Sequence, residues 1–456
     1  MAKKDTGFFN KLSKPFVNLV ENYYPDAFIF VVVLSLLTFF LAFFSTDSSP
    51  IQILEAWGNG LPKLFTFTAQ ISIIMIAAHS LAHTTPVEKI LSKIGNCPNT
   101  PTQAYALVTF VSGLASLFAW SFGLIVGGII SKFVAIECSK KKIKIHYPLL
   151  VASAYSGYVI WHMGYSSSAA LFVSSKEHSL IEKIGVIPVT ETIFSEFNIC
   201  LALITLFIIT IVNPLMKPTD SKETLEIDTK IFETKKESEK KSLDTLKNFA
   251  QKIENNKFIS FFVGFMLVFF ILFVFFEKGF SLDLNLVSWT FLGIGLMLSN
   301  SPIHYVKLVN KAAITVGPII LQYPFYAGIM GMMVDTGLIQ VLANAIVNIS
   351  SSQTLGFFSF LSGGLVNMFI PSGGGQWAVQ GPVMVEAAQT LGVKPYVIVL
   401  GVAYGDQWTN MIQPFWTIPL LAIAGLHMRQ IMGYTFVIFI VTGILYGSSM
   451  LYLGSG

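Results

Sequence analysis

After Asp283 the sequence holds three carboxylates, Asp335, Glu386 and Asp406, and only Asp406 stands inside an apolar run, between Gly405 and Gln407. An ionisable group in such a run marks a proton or ion pathway, because leaving it uncompensated there is costly. Thr409 and Asn410 follow on the same stretch. As a protonatable acid, Asp406 can neutralise during a transport cycle. As a carboxylate beside exposed carbonyls, Thr409 and Asn410, it can give a bound sodium ion an oxygen site, and the residues leave both readings open.

A second stretch, Pro371-Ser-Gly-Gly-Gly-Gln-Trp377, suits anion recognition. The run Gly373, Gly374 and Gly375 lets backbone amides converge as a nest, with Ser372 and Gln376 donating beside it; the same run also suits a tight turn that needs positive φ. Two further places put polar residues inside apolar runs. One is Trp120-Ser121-Phe-Gly123. The other is Trp161-His162 with Ser166, Ser167 and Ser168 behind it, where the imidazole can make a polar contact or move a proton. The three serines can line an opposite pole or serve as a small-residue helix contact.

Other chemistries find less support. His79 and His83 share a helix face at i and i+4 but lack the glutamate and third ligand of a zinc site. Cys97, Cys138 and Cys200 show no disulfide or ligand spacing and read as buried small hydrophobes. A serine, a histidine and an aspartate at membrane depth also admit an intramembrane hydrolase or acyl-transfer enzyme. No GxSxG elbow or His-Asp acyltransferase signature is present, so the chain reads as a non-enzyme.

The elements that hold these residues must be membrane helices. With 53% hydrophobic and 12% charged residues and a mean hydropathy of +0.66, the chain lies outside the soluble globular range. Its net charge of +4 includes a single arginine, Arg429, which leaves no basic face for nucleic acid. Spans are expected at 27–44, 64–82, 193–214, 258–276, 285–299, 313–333 and 431–453. Segments 104–136 and 354–386 are too long for one crossing and carry small polar residues at mid-length. Segments 147–173 and 395–421 are one crossing long but broken, by Gly157 and Gly164 in one and by Gly405, Pro414 and Pro419 in the other.

Lysine-rich short loops stay cytoplasmic, which places the N-terminal lysines, Lys140–Lys144, the 217–257 loop, Lys307 with Lys311, and Arg429 inside. Segment 104–136 must then enter and return on one side, as a re-entrant hairpin or a tight helical pair. Similar residues recur about 250 positions apart, as in Gln70 and Gln322, Phe110–Gly113 and Phe360–Gly363, and Ala154-Tyr155 and Ala403-Tyr404. The expected fold is an all-α polytopic membrane protein of two inverted-topology repeats, each with a re-entrant helical hairpin and a broken membrane helix. Its parts are a cytoplasmic N-terminal segment (1–26), a first membrane repeat (27–216), a charged cytoplasmic linker (217–257), an extra topology-inverting helix and loop (258–284) and a second repeat (285–456).

Taken together, Trp57-Gly-Asn-Gly60, Tyr147-Pro-Leu-Leu150, Trp161-His162 through the serines, Pro371–Trp377 and Tyr404-Gly-Asp-Gln-Trp-Thr-Asn410 resemble the bacterial short-chain fatty acid uptake transporters, a family grouped with the ion transporter superfamily. The resemblance spans the chain apart from the 217–257 loop. It implies an inner-membrane, multi-pass permease for short monocarboxylates such as butyrate or acetoacetate, coupled to protons or sodium. It also implies no cofactor beyond a coupling cation, and in many superfamily members a homodimer. A permease for another small organic anion is the alternative. Asp406 would carry coupling. Ser121, Gly123, His162, Ser166–Ser168, Ser372–Gln376, Thr409 and Asn410 would face the carboxylate, with Trp161, Trp377, Trp408, Phe415 and Trp416 walling the tail.

Overall fold

The computed structural model describes residues 8–23, 25–176, 178, 180–218, 224–227, 248–278 and 284–455, and among these every regular element is a helix. Seven helices are long and apolar enough to cross a membrane by length and composition. The calls on residues 1–7 and 279–283 and on most of the 217–257 linker lie outside the described residues; within that linker, Phe249–Glu254 is a short helix.

The spans expected at 64–82 and 313–333 are the later parts of two longer helices. Pro50–Gly60 continues through the 3-10 turn Leu61–Leu64 into Phe65–Ala82, and Pro302–Ala313 continues through Ile314–Val316 into Gly317–Asp335. Pro62 and Pro318 each sit in the first turn of the following piece, where no amide donor is needed. The two long helices cross at glycines. A Cβ on Gly60 would lie 2.6 Å from the Ala327 carbonyl oxygen, and Gly328 accepts the Trp57 indole against its backbone, which accounts for the Trp57–Gly60 motif. Lys63 and Asp335 pair at 3.0 Å beside the crossing.

Segment 104–136 folds as Pro101–Phe118 and Trp120–Lys140, with only Ala119 extended between them, and segment 354–386 as Leu355–Asn367 and Gly373–Leu391. Each is a pair folded back on itself. Gly123 lies against Ser116, and the Ser112 hydroxyl donates to the Gly123 carbonyl at 3.2 Å. In the second pair the Gln376 amide donates to the Gly363 carbonyl at 2.8 Å, and the Gln380 amide to the Ser362 hydroxyl at 2.7 Å.

The first broken segment is Tyr147–Ser156, the 3-10 stretch Gly157–Met163, an irregular turn and Ser168–Ser174; the second is Pro395–Thr409, Asn410–Ile412, an irregular turn and Thr417–Ala424. Gly405 does not break its helix, contrary to the expectation. It lies against the Phe360 carbonyl, and a Cβ there would also stand 2.5 Å from the Gly364 amide, so this glycine serves close packing. The unwound stretch begins beyond Asn410, toward Pro414, and Asp406 sits in the last turn of a regular helix.

The order long kinked helix, short helix, folded pair, broken segment and closing span is followed twice, ending in Glu196–Leu215 and in Met428–Ser455. Lys257–Lys278 stands between the halves and touches Leu284–Leu298 where Gly264 meets Gly293. Its outer phenylalanines, Phe258 and Phe276, are 83% and 89% exposed, as a lipid-facing helix requires. Of the cysteines only Cys138 is buried; Cys97 and Cys200 are exposed, Cys200 on a span whose outer face is apolar throughout, where burial in protein is not needed.

Candidate functional site

His162, near the end of the 3-10 stretch, and Asp406, in the last turn before the second break, have side chains 1% and 2% exposed. His162 Nε2 stands 3.4 Å from Asp406 Oδ2. That is ion-pair reach without hydrogen-bond alignment, and neither atom has another hydrogen-bond partner. The other ring nitrogen, Nδ1, meets the Ser167 hydroxyl at 3.1 Å, and the His162 backbone amide donates to Gln407 Oε1 at 2.9 Å. Tyr155 closes the junction by donating to the Asn410 carbonyl at 2.7 Å. The two breaks are therefore one polar centre rather than two separate poles.

The tip of the second pair rests on this centre. A Cβ on Gly373 would lie 2.6 Å from His162 Nε2 and 2.9 Å from the Trp161 ring, so only glycine lets the tip approach the imidazole. Gly374 is different, because its Cβ would meet nothing nearer than the Ser168 side chain at 3.8 Å. The three serines divide their work. Ser166 accepts from the Trp120 amide at 2.8 Å, Ser167 contacts His162, and Ser168 faces the second tip. Ser372, Gly374, Gly375, Ser166 and Ser168 are half-buried, whereas His162, Ser167 and Asp406 are buried. The tip is thus the more exposed side of this centre.

Gly373, Gly374 and Gly375 form neither a nest nor a positive-φ turn; the glycines with positive φ are Gly185, Gly337, Gly392 and Gly425. They are the first turn of Gly373–Leu391, whose leading amides have no carbonyl within the helix and carry partial positive charge. Such a first turn can receive an anion, and here the imidazole stands beside it.

Several expected contacts fall elsewhere. Gln376 is turned into its own pair, and Trp377 packs with Ala169, Val173 and Met384 in a separate apolar cluster. Trp408 stacks on Phe439 at 4.2 Å and donates to its carbonyl at 2.7 Å, facing the last helix. Ser121 and Gly123 stay within the first pair, with no described contact to His162 or Asp406. Trp161, Phe415 and Trp416 do share a cluster, joined by Phe67, Tyr158 and Tyr323. Tyr323 stacks on Phe415 at 4.3 Å, Trp120 lies 4.9 Å from Trp416, and Tyr158 lies 5.8 Å from Trp161.

Asn367 was missed from the sequence. Its Nδ2, with two hydrogens to give, lies within hydrogen-bond distance of the Asp406 carbonyl at 2.8 Å, the Thr409 hydroxyl at 2.9 Å and Asn410 Oδ1 at 2.8 Å. An amide inside the apolar arm 354–386 was the available signal. Two cavities, about 350 and 460 Å³, lie away from this centre, and neither is lined by His162 or Asp406.

A family model described as short chain fatty acid transporter matches residues 8–453. The chain belongs to that family. Curated relatives include provisionally named short-chain fatty acid transporters. One, of Escherichia coli (strain K12), is 34% identical over 436 residues, covering 96% of this chain and 98% of that protein. Another, of Haemophilus influenzae, is 34% identical over 441 residues, covering 95% and 97%. Among solved structures, the Alcanivorax borkumensis YdaH transporter gives a TM-score of 0.45 at 14% identity, covering 94% of this chain and 98% of that one. Neisseria gonorrhoeae MtrF, titled an antimetabolite efflux pump, gives 0.41 at 15%, covering 97% and 96%. Membership makes the chain a multi-pass membrane transporter rather than an enzyme, acting on a small-molecule substrate.

Proposed function

We infer that this transporter carries short monocarboxylates such as butyrate or acetoacetate, coupled to protons, across the bacterial inner membrane. The observation that supports it best is the buried His162–Asp406 pair beneath the Gly373 tip. A proton shared by this pair would change the site's charge by one unit as a monovalent anion binds, and a lone charge buried there would be costly. The aromatic group around Phe415 offers a short apolar tail a wall.

Sodium fits less well. The oxygens best suited to it, the Asp406 carbonyl, Thr409 Oγ1 and Asn410 Oδ1, already surround the Asn367 amide nitrogen, so a cation would have to displace that donor. Because three acceptors surround that nitrogen, the amide orientation is fixed by its partners.

In the same reading the two halves are inverted repeats, the folded pairs enter and leave on one face, the N-terminus is cytoplasmic, and the protein works as a homodimer. In a cysteine-free background, cysteines placed at Lys144 and at Lys235 should both react with an impermeant thiol reagent only from the cytoplasmic side. Labelling of position 144 from outside would remove the same-side return of 104–136 and the inversion with it.

The tip itself is tested by Gly374→Ala. The added methyl has room, so the protein should insert normally. It narrows the approach to the leading amides, and the half-saturation concentration for butyrate uptake should rise by about fivefold, comparable to weakening the site by one hydrogen bond of ordinary net strength, about 1 kcal/mol. Parental kinetics at parental abundance would assign the tip a packing role only.

A further inference from the structure

We propose that a cavity separate from the His162–Asp406 centre is a second carboxylate-binding site, an antechamber with Arg429 at its mouth and Gln322 at its inner wall; it rests on the transport reading above. The cavity, about 350 Å³, lies between the start of Ala27–Ser45, the first turns of Gly317–Asp335, Thr417–Ala424 and the turn leading to Arg429. That volume is at the lower end of pockets that hold small molecules.

Its mouth and its depth are chemically distinct. Arg429, the chain's only arginine, is exposed at the rim with His427 and makes no ion pair among the described residues. Asp26 is the acid in the lining, and its carboxylate accepts from the Phe28 amide at 2.9 Å as a helix cap. With no ion pair of its own among the described residues, the guanidinium can present its planar fork to an incoming carboxylate. Leu321, Ile418 and Leu421 make the wall apolar. At the inner side Gln322 is 5% exposed, and its Oε1 is buried with no hydrogen-bond partner. The free atom is an acceptor, so the inner wall suits the protonated acid, while the guanidinium at the mouth suits the carboxylate.

Polar groups at both ends fit a short amphiphile in transit better than a lipid chain, whose apolar end would lie against the unpaired Oε1. Gln322 adjoins the aromatic cluster in sequence. Tyr323, the next residue, stacks on Phe415 and donates to its carbonyl at 3.4 Å, and Phe415 belongs to the aromatic cluster beside Trp161 and Trp416.

The test uses purified full-length protein in proteoliposomes of neutral lipid, with radiolabelled butyrate supplied from either face. In Arg429→Gln, half-saturation from the Arg429 face should rise about fivefold to tenfold and lose its dependence on ionic strength, while the opposite face changes by less than twofold. Arg429→Lys should retain most of the parental value, and Gln322→Leu should raise half-saturation on the same face. Unchanged kinetics from both faces in Arg429→Gln, with the parent transporting butyrate, would overturn the antechamber alone. A parent that moves no butyrate would instead overturn the transport reading. Loss of the Arg429 effect when anionic lipid is added would assign the cavity to a lipid headgroup and likewise overturn the proposal.

Discussion

Asp406→Asn is expected to bring the butyrate accumulation ratio down to one while leaving the protein in the membrane and exchange of substrate across it intact. The substitution keeps the volume and the hydrogen bonds made by the Asp406 backbone carbonyl, including that from Asn367 at 2.8 Å. It removes the only carboxylate that faces His162 in this centre. An amide cannot take up and release a proton in the cycle, so substrate movement loses its link to the gradient. Counterflow of labelled against unlabelled butyrate measures exchange, and net uptake under an imposed gradient measures coupling. Full accumulation by this variant would make Asp406 structural and place coupling elsewhere.

Gly373→Ala should be nearly as damaging for a different reason. Its methyl would lie 2.6 Å from His162 Nε2 and 2.8 Å from Cε1, with the Trp161 ring on its other side. Either the tip retreats or the imidazole turns away from Asp406, and overpacking of this kind costs about 1–3 kcal/mol. Uptake should fall about tenfold to a hundredfold at parental abundance, against the much milder change in Gly374→Ala one residue along. Equal effects of the two substitutions would contradict the placement of His162 under Gly373.

The broad plan was legible in the sequence because membrane helices announce themselves by length and hydropathy. Asp406, His162, Ser167 and the Pro371–Gly375 stretch stood out because polar residues are rare in such segments, and the structure brings Asp406, Ser167 and Gly373 against His162. Their mutual contact was not legible, since nothing in the spacing of residues 162 and 406 says that two breaks from different halves touch. Local rules also misled. A glycine reads as a helix breaker, yet Gly405 is needed for contact with the Leu355–Asn367 arm, and the three tip glycines lie in an ordinary helical turn. Tryptophans near polar motifs read as a substrate wall, but Trp377 and Trp408 belong to helix faces that look away from it. Asn367 escaped notice because a single amide in a glycine-rich arm carries no motif, although its nitrogen gathers three acceptors of the second break.

Butyrate uptake by the purified parent chain in proteoliposomes, under separately imposed proton and sodium gradients, tests the central claim most directly. Accumulation above the external concentration under the proton gradient, absent when the gradient is collapsed, is the predicted result. Equilibration without accumulation under either gradient, or accumulation driven by sodium alone, would contradict the assignment of the His162–Asp406 pair as the coupling site.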